Sequence, residues 1–205
     1  MIRGRGLVPA LFFALAGCSG TYQVVHMPQY EADLYPLTQT KSGVTIAVDD
    51  IRTGQRAERY FGADLLKDGV IPVNVIVSNF GKTRVIVKPS DILLYRGKEI
   101  VDPLPIEWVS DSAKRQHWFL RTKTEEEVDK YLENSTFKER ILFPNESYRG
   151  VIFFSVPQPK TLADRWFKTF SVWSEGAPRL RVGLTNLDTG DRMLFGPFPV
   201  TLPER

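Results

Sequence analysis

Val70-Ile71-Pro72-Val73-Asn74-Val75-Ile76-Val77-Ser78 is the stretch on which the reading of the fold turns. Val73, Val75 and Val77 recur every second residue, so in an extended chain they share one face. Pro72 has no amide hydrogen to give a neighbour, which places the start of this strand at an edge or at a bulge. Residues 79–82 read as a turn, and residues 84–88 return with Val85 and Val87 inward.

The same grammar extends in both directions. Val44, Ile46 and Val48 alternate with Thr45, Ala47 and Asp49, the period of a half-buried strand. Residues 55–67 suggest a short helical turn, and residues 92–95 a further strand ahead of Arg96-Gly97-Lys98. Ile141-Leu142-Phe143 leads into a Pro144-Asn145-Glu146-Ser147 turn. The run Gly150-Val151-Ile152-Phe153-Phe154-Ser155-Val156 is apolar almost throughout, which predicts a central strand covered on both faces. Residues 167–173 alternate as well. Leu180, Val182 and Leu184 face away from Arg179 and Arg181, residues 186–191 close a hairpin onto 193–195, and residues 198–202 extend the last edge. About seven to nine short strands separated by turn signals predict an all-β fold, an immunoglobulin-like β-sandwich. The stretches 71–79 and 143–151 resemble bacterial envelope β-sandwich domains in their strand grammar, a likeness that implies a fold and no activity. The Cys…Trp…Cys hallmark of antibody domains is absent, so the kinship is architectural.

The strand period stops after Ile100. Thr124-Glu125-Glu126-Glu127 has the form of a capping box, with three acids where the helix dipole favours them. Val128, Tyr131 and Leu132 follow at helical spacing, and Asn134 can end the helix. Residues 106–136 therefore read as a small, partly helical insertion crossing one end of a sheet. Its aromatic residues Trp108, Trp118 and Phe119 are candidates for a partner surface, because Trp and Tyr dominate binding hot spots. The commoner role of such residues is to pack the insertion onto the sandwich. Tyr131 is expected to lie buried beneath the helix and Trp118 at or near the surface.

The beginning of the chain carries an address. Arg3 and Arg5 precede an apolar run over residues 7–15, too short to span a ~30 Å hydrocarbon core that needs ~20 residues. The run ends in Leu15-Ala16-Gly17-Cys18, which resembles the bacterial lipobox. In lipoproteins of that kind the cysteine thiol receives diacylglycerol, cleavage falls before it, and the new amine is acylated. The resemblance makes residues 1–17 a signal peptide and Cys18 the lipidation site. Ser19 stands where Asp commonly retains lipoproteins in the inner membrane, so the resemblance implies the outer one. Residues 18–42, polar and broken by Pro28 and Pro36, read as a lipidated tether, part of which Tyr22, Val24, Val25, Tyr30 and Tyr35 would let dock. The domain itself is then 43–205.

Charge and cysteine count narrow the function. Of the 27 Lys and Arg residues, Arg3 and Arg5 leave with the signal, so 25 face 24 acids. A near-neutral surface without a basic, aromatic-rich cluster argues against a nucleic-acid partner. The single Cys leaves no thiol for a disulfide, a zinc site or a nucleophile. Gly81-Lys82-Thr83 lacks the earlier glycine of a phosphate-binding loop and precedes a strand, so it reads as a hairpin turn. Asn186-Leu187-Asp188-Thr189-Gly190-Asp191 has calcium-like oxygens but Pro197 where a closing Glu would stand. His26 and His117 have no second ligand at metal spacing. Glu125, Glu126 and Glu127 point apart on a first helical turn, unlike a glycosidase pair. The expectation is a non-enzymatic lipoprotein without cofactor or metal. It would be held to the membrane through acyl chains, and would bind or scaffold an envelope protein. The alternative is an envelope glycan or small-ligand binder or hydrolase.

Overall fold

The computed structural model describes residues 27, 30–117, 124–155 and 177–201. It holds two antiparallel sheets and three α-helices. In the first sheet the strands β1 (Thr38–Lys41), β2 (Val44–Asp50), β3 (Val70–Asn79) and β7 (Glu146–Ser155) lie in that order. The second has the order β5 (Glu99–Val101), β4 (Val85–Arg96), β8 (Arg179–Asn186), β9 (Arg192–Pro199), with β6 (Arg140–Leu142) also paired to β4. The helices are α1 (Gly54–Phe61), α2 (Ile106–His117) and α3 (Glu125–Ser135).

Alternation along the strands builds the core between the sheets. Val73, Val75 and Val77 of β3 meet Val85, Val87, Ile92 and Leu94 of β4 there, together with Leu180, Val182, Leu184, Phe195 and Phe198. Two separate strands read at 84–88 and 92–95 are one long strand. Its register against β8 shifts between Val87 and Ile92, and that irregularity lets an odd-numbered pair and an even-numbered pair face the same core.

The other face of the first sheet is not solvent. Val70 on β3 and Val151 and Phe153 on β7 pack against Ala57, Tyr60 and Phe61 of α1, Val109 and Ala113 of α2, and Val128 and Leu132 of α3. The helices thus form a third layer over the first sheet. All ten residues of β3 are buried, which is why its sequence reads apolar with only Asn74, Ser78 and Asn79 interrupting. The insertion therefore lies on a sheet face rather than across a sheet end, because the sheet presents apolar side chains there that need cover.

Two strand expectations change. Residues 150–155 are covered on both faces, but among the described residues β7 is the last strand of its ladder and β3 the interior one. The outer edge of β7 is closed instead by the two ends of the insertion: Leu104 N donates to Phe153 O (2.7 Å) and Phe137 N to Val151 O (2.9 Å). Pro72 sits in this interior strand at no cost in lost pairing, because the ladder from β2 ends at Asp50 opposite Val73. Pro72 O still accepts from Ile51 N (3.2 Å), and only the amide side is left idle.

The segment read as a tether to residue 42 is partly structured. Residues 38–41 are β1, and Ala32 and Tyr35 cover Ala47 and Ile76 on the outer face of the first sheet. Ala32 N donates to Ser78 Oγ (3.0 Å), and Met27 O accepts from Arg149 Nη1 (2.6 Å). The sheet thus begins before residue 43, because small and aromatic side chains cover the strip that the helices leave bare. On the opposite flank β1 protects the edge of β9: Lys41 Nζ donates to Leu194 O, and Gln39 Oε1 accepts from Gly196 N (2.7 Å). The strand read at 167–173 and the residues beyond 201 lie outside the described residues.

Candidate functional site

Trp108 is the one predicted surface residue that the described structure contains. Its helix starts where the chain leaves the sheet edge: Pro103 bridges Phe154, and Trp108 N donates to Pro105 O (3.1 Å). The face of α2 carrying Val109 and Ala113 is fully buried, while the Trp108 side chain, one residue away, is 71% exposed. Two neighbours tie the helix down. Ser112 Oγ donates to Asp68 Oδ2, and Ser110 Oγ and Lys114 Nζ (2.9 Å) both donate to the Asp129 carboxylate on α3. The Ser110 hydroxyl first and Lys114 second hold the Asp129 carboxyl below its usual range. An indole is thus presented in water on a helix whose position is fixed by packing and by side-chain hydrogen bonds. Cys18, Trp118 and Phe119 lie outside the described residues, as does the side chain of His117. Tyr131 is half-buried and packs against the helix-layer cluster; burial raises its phenol above the ordinary range.

A polar seam lies between the helices and the N-terminal segment on the outer face of the first sheet. Arg56 on α1 forks onto Asp49 of β2, with Nη2 2.9 Å from Oδ2, and its guanidinium lies 5.6 Å from the Tyr60 ring centre. The Arg56 guanidinium is held above its ordinary range; burial opposes that and the Asp49 carboxylate overrides it. Asn74, 2% exposed, stands opposite Asp49 in the ladder with its Oδ1 unpaired. The Asp49–Arg56 pair fastens α1 to the sheet through bidentate geometry. No group of three or more His, Cys, Asp or Glu residues among the described residues is arranged to hold a metal ion. The Asn186–Asp191 oxygens serve the turn: Asp188 pairs with Arg84, and Asn186 Oδ1 accepts from Asp188 N (2.9 Å).

A second exposed surface escaped the sequence reading. Phe80 (43% exposed), Phe143 (53%) and Leu187 (38%) stand on the β3–β4, β6–β7 and β8–β9 connections. Leu142, Val85 and Asn186 are aligned across β6, β4 and β8, so Phe143 and Leu187 leave the sheet at the same level. The buried Asn79 joins the turns, its Nδ2 donating to Thr83 O (2.8 Å) and Leu142 O (3.1 Å), while its carbonyl accepts from Asn145 N (2.6 Å). Phe80 and Leu187 sit singly among turn residues and Phe143 reads as the end of the Ile141-Leu142-Phe143 strand, so nothing in the sequence marked them as one surface.

No protein-family model matches the chain, and no curated protein matches it in sequence. Among solved structures, the YjhA protein of Bacillus subtilis is similar at 13% identity and a TM-score of 0.41, over 78% of this chain and 95% of that one. A functionally unknown protein of Listeria monocytogenes aligns at 10% identity and TM-score 0.39, over 85% of this chain and 87% of its own. The candidate lipoprotein YcdA of Bacillus subtilis aligns at 15% identity and TM-score 0.37 over 82% of this chain, which spans only 38% of YcdA. Likenesses at this level carry no inference about function.

Proposed function

We propose that the protein is an acyl-anchored, non-enzymatic binding module of the bacterial envelope. Cys18 holds it to the outer membrane on the periplasmic side, and the surface around Trp108 engages an envelope protein. The two sheets are read as an immunoglobulin-like sandwich, supported by the chain crossing from one sheet to the other between β3 and β4 and again between β6 and β7.

The observation that carries this reading is the exposure of Trp108 on an otherwise immobilised helix. A large side chain left in water loses the burial that would stabilise the fold by about 1.5–3 kcal/mol, so the fold itself gives no reason for a Trp there. A partner pocket does, since rigid aromatic anchors cost little entropy when they bind. The anchor is supported by the likeness of Leu15-Ala16-Gly17-Cys18 to the lipobox.

Two variants test the two halves separately. Cys18→Ser is expected to abolish metabolic labelling by radioactive palmitate, and retained label rejects the anchor. Trp108→Ala is expected to leave the urea midpoint nearly unchanged, within about 0.5 kcal/mol, while protein crosslinks formed in intact envelopes disappear. Crosslinks that persist, or a loss of several kcal/mol, make Trp108 a packing residue and reject the partner surface.

A further inference from the structure

We propose that the end of the sandwich bearing Phe80, Phe143 and Leu187 is a membrane-contacting surface, seated in the headgroup region of the bilayer that holds Cys18. This rests on the acyl anchor of the proposed function and adds an orientation to it. The three side chains are pre-set rather than loose. Phe80 N donates to Gly43 O (2.8 Å), Phe143 N to Glu146 Oε2 (2.9 Å), and Leu187 N to Arg84 O (2.9 Å). Turns tied this closely expose two aromatic rings and a leucine at no gain to the fold.

Of the acids at this end Asp188 is paired with a cation, while Glu146 and Asp191 keep their charge and are held by neutral donors. Asp188 takes Arg84 N (2.7 Å) and the Arg84 guanidinium, Glu146 takes the Phe143 amide, and Asp191 accepts from Thr189 Oγ1 (2.8 Å). Lys82, exposed two residues past Phe80, makes no ion pair among the described residues. Aromatic side chains beside a free cation suit an interface where rings enter the acyl boundary and the ammonium meets a phosphate.

Chain length puts the bilayer within range. Nine residue steps separate Cys18 from Met27, a reach of at most ~30 Å. Met27 O is held by the Arg149 guanidinium and its side chain packs in the helix layer; Arg149 itself stands opposite Ile76, and Asn79 at the strand end lies three residues further, about 10 Å. The bilayer that receives the acyl chains is therefore within reach of these turns. Trp108 belongs to the other end: Leu104, at the foot of α2, is bonded to Phe153 opposite Pro72. Seating the turns in lipid leaves the start of α2, which carries Trp108, at the far end of the first sheet, where a partner can meet it.

The test uses the full lipidated chain in vesicles of phosphatidylethanolamine and phosphatidylglycerol. Acylation consumes the only native thiol, so Phe143→Cys, Phe80→Cys and Trp108→Cys each add one site for an environment-sensitive fluorophore. The labels at 143 and 80 are expected to shift to the blue and to be quenched by spin-labelled lipids, and the label at 108 to do neither. Either turn position behaving so, in a variant that melts like the wild type, supports the proposal. Labels at both 143 and 80 that stay in water on acylated protein overturn it and leave the anchor standing. Shielding that depends on protein concentration and not on lipid also overturns it, by making the occupant a second copy. Intact mass shows whether Cys18 is acylated; a bare thiol there rejects the anchor and this orientation together.

Discussion

Gly150→Ala probes how the insertion is fastened to the sheet. Gly150 lies on β7 opposite Val75, where the chain returning from α3 crosses the strand. A Cβ built at position 150 would stand 2.4 Å from Phe137 Cα and 2.8 Å from Phe137 N, far inside contact distance and against backbone. Relief requires the return segment to move. That movement endangers the 2.9 Å bond from Phe137 N to Val151 O, and the Phe137 ring that fills the core against Tyr148 at 5.0 Å. Overpacking of this kind costs about 1–3 kcal/mol, and losing a buried Phe outright about 3–5 kcal/mol. Gly150→Ala is therefore expected to cost about 2–4 kcal/mol by urea titration, between those limits, and to lower the melting temperature by several degrees. Phe137→Ala keeps the backbone atoms that the new Cβ meets but removes the ring that the shift would displace, so the two changes should not add fully. The double variant should cost at least about 0.5 kcal/mol less than the sum of the singles. A single-variant loss under about 0.5 kcal/mol would refute the account of a backbone-tight crossing, and strict additivity would show that the Phe137 ring keeps its place.

Two further outcomes follow from the helix layer. Thr124 accepts from Glu127 N (3.3 Å) while Glu127 Oε2 accepts from Thr124 N (2.8 Å), so Thr124→Ala removes half of a reciprocal cap. It should cost about 1 kcal/mol in the urea midpoint, and an unchanged midpoint would mean that tertiary packing alone holds α3. The Asp129 carboxyl is held below its usual range by Ser110 and then Lys114, so its contribution is present above the ordinary aspartate value of about 3.9 and fades as pH falls through the lowered folded one. Asp129→Asn should therefore lose less stability than the wild type between about pH 7 and pH 3, read as the change in urea midpoint; equal losses would show that this carboxylate does not couple α2 to α3.

Much of the architecture was legible in the sequence because its signals are local. The alternating valines of residues 73–77 and 85–87 and the capping box at Thr124 each follow from a period or a spacing within a few residues. The chain could not say which face of which sheet would be left needing cover. The run at 150–155 shows that both faces of a strand are buried, yet the same run would occur in an interior strand or in one closed at its edge by returning chain. Only the bonds to Leu104 and Phe137 decide for the second. Trp108 was singled out by residue type and by its place outside the strand pattern, and the structure leaves it in water. Phe80 and Leu187 fall outside any strand period, and Phe143 reads only as the end of one. They become one surface only because β6, β4 and β8 bring distant connections to the same level, a matter of strand register. Periodicity records which side of an element is buried. What lies against that side depends on contacts between residues far apart in the chain, and only the folded structure makes them.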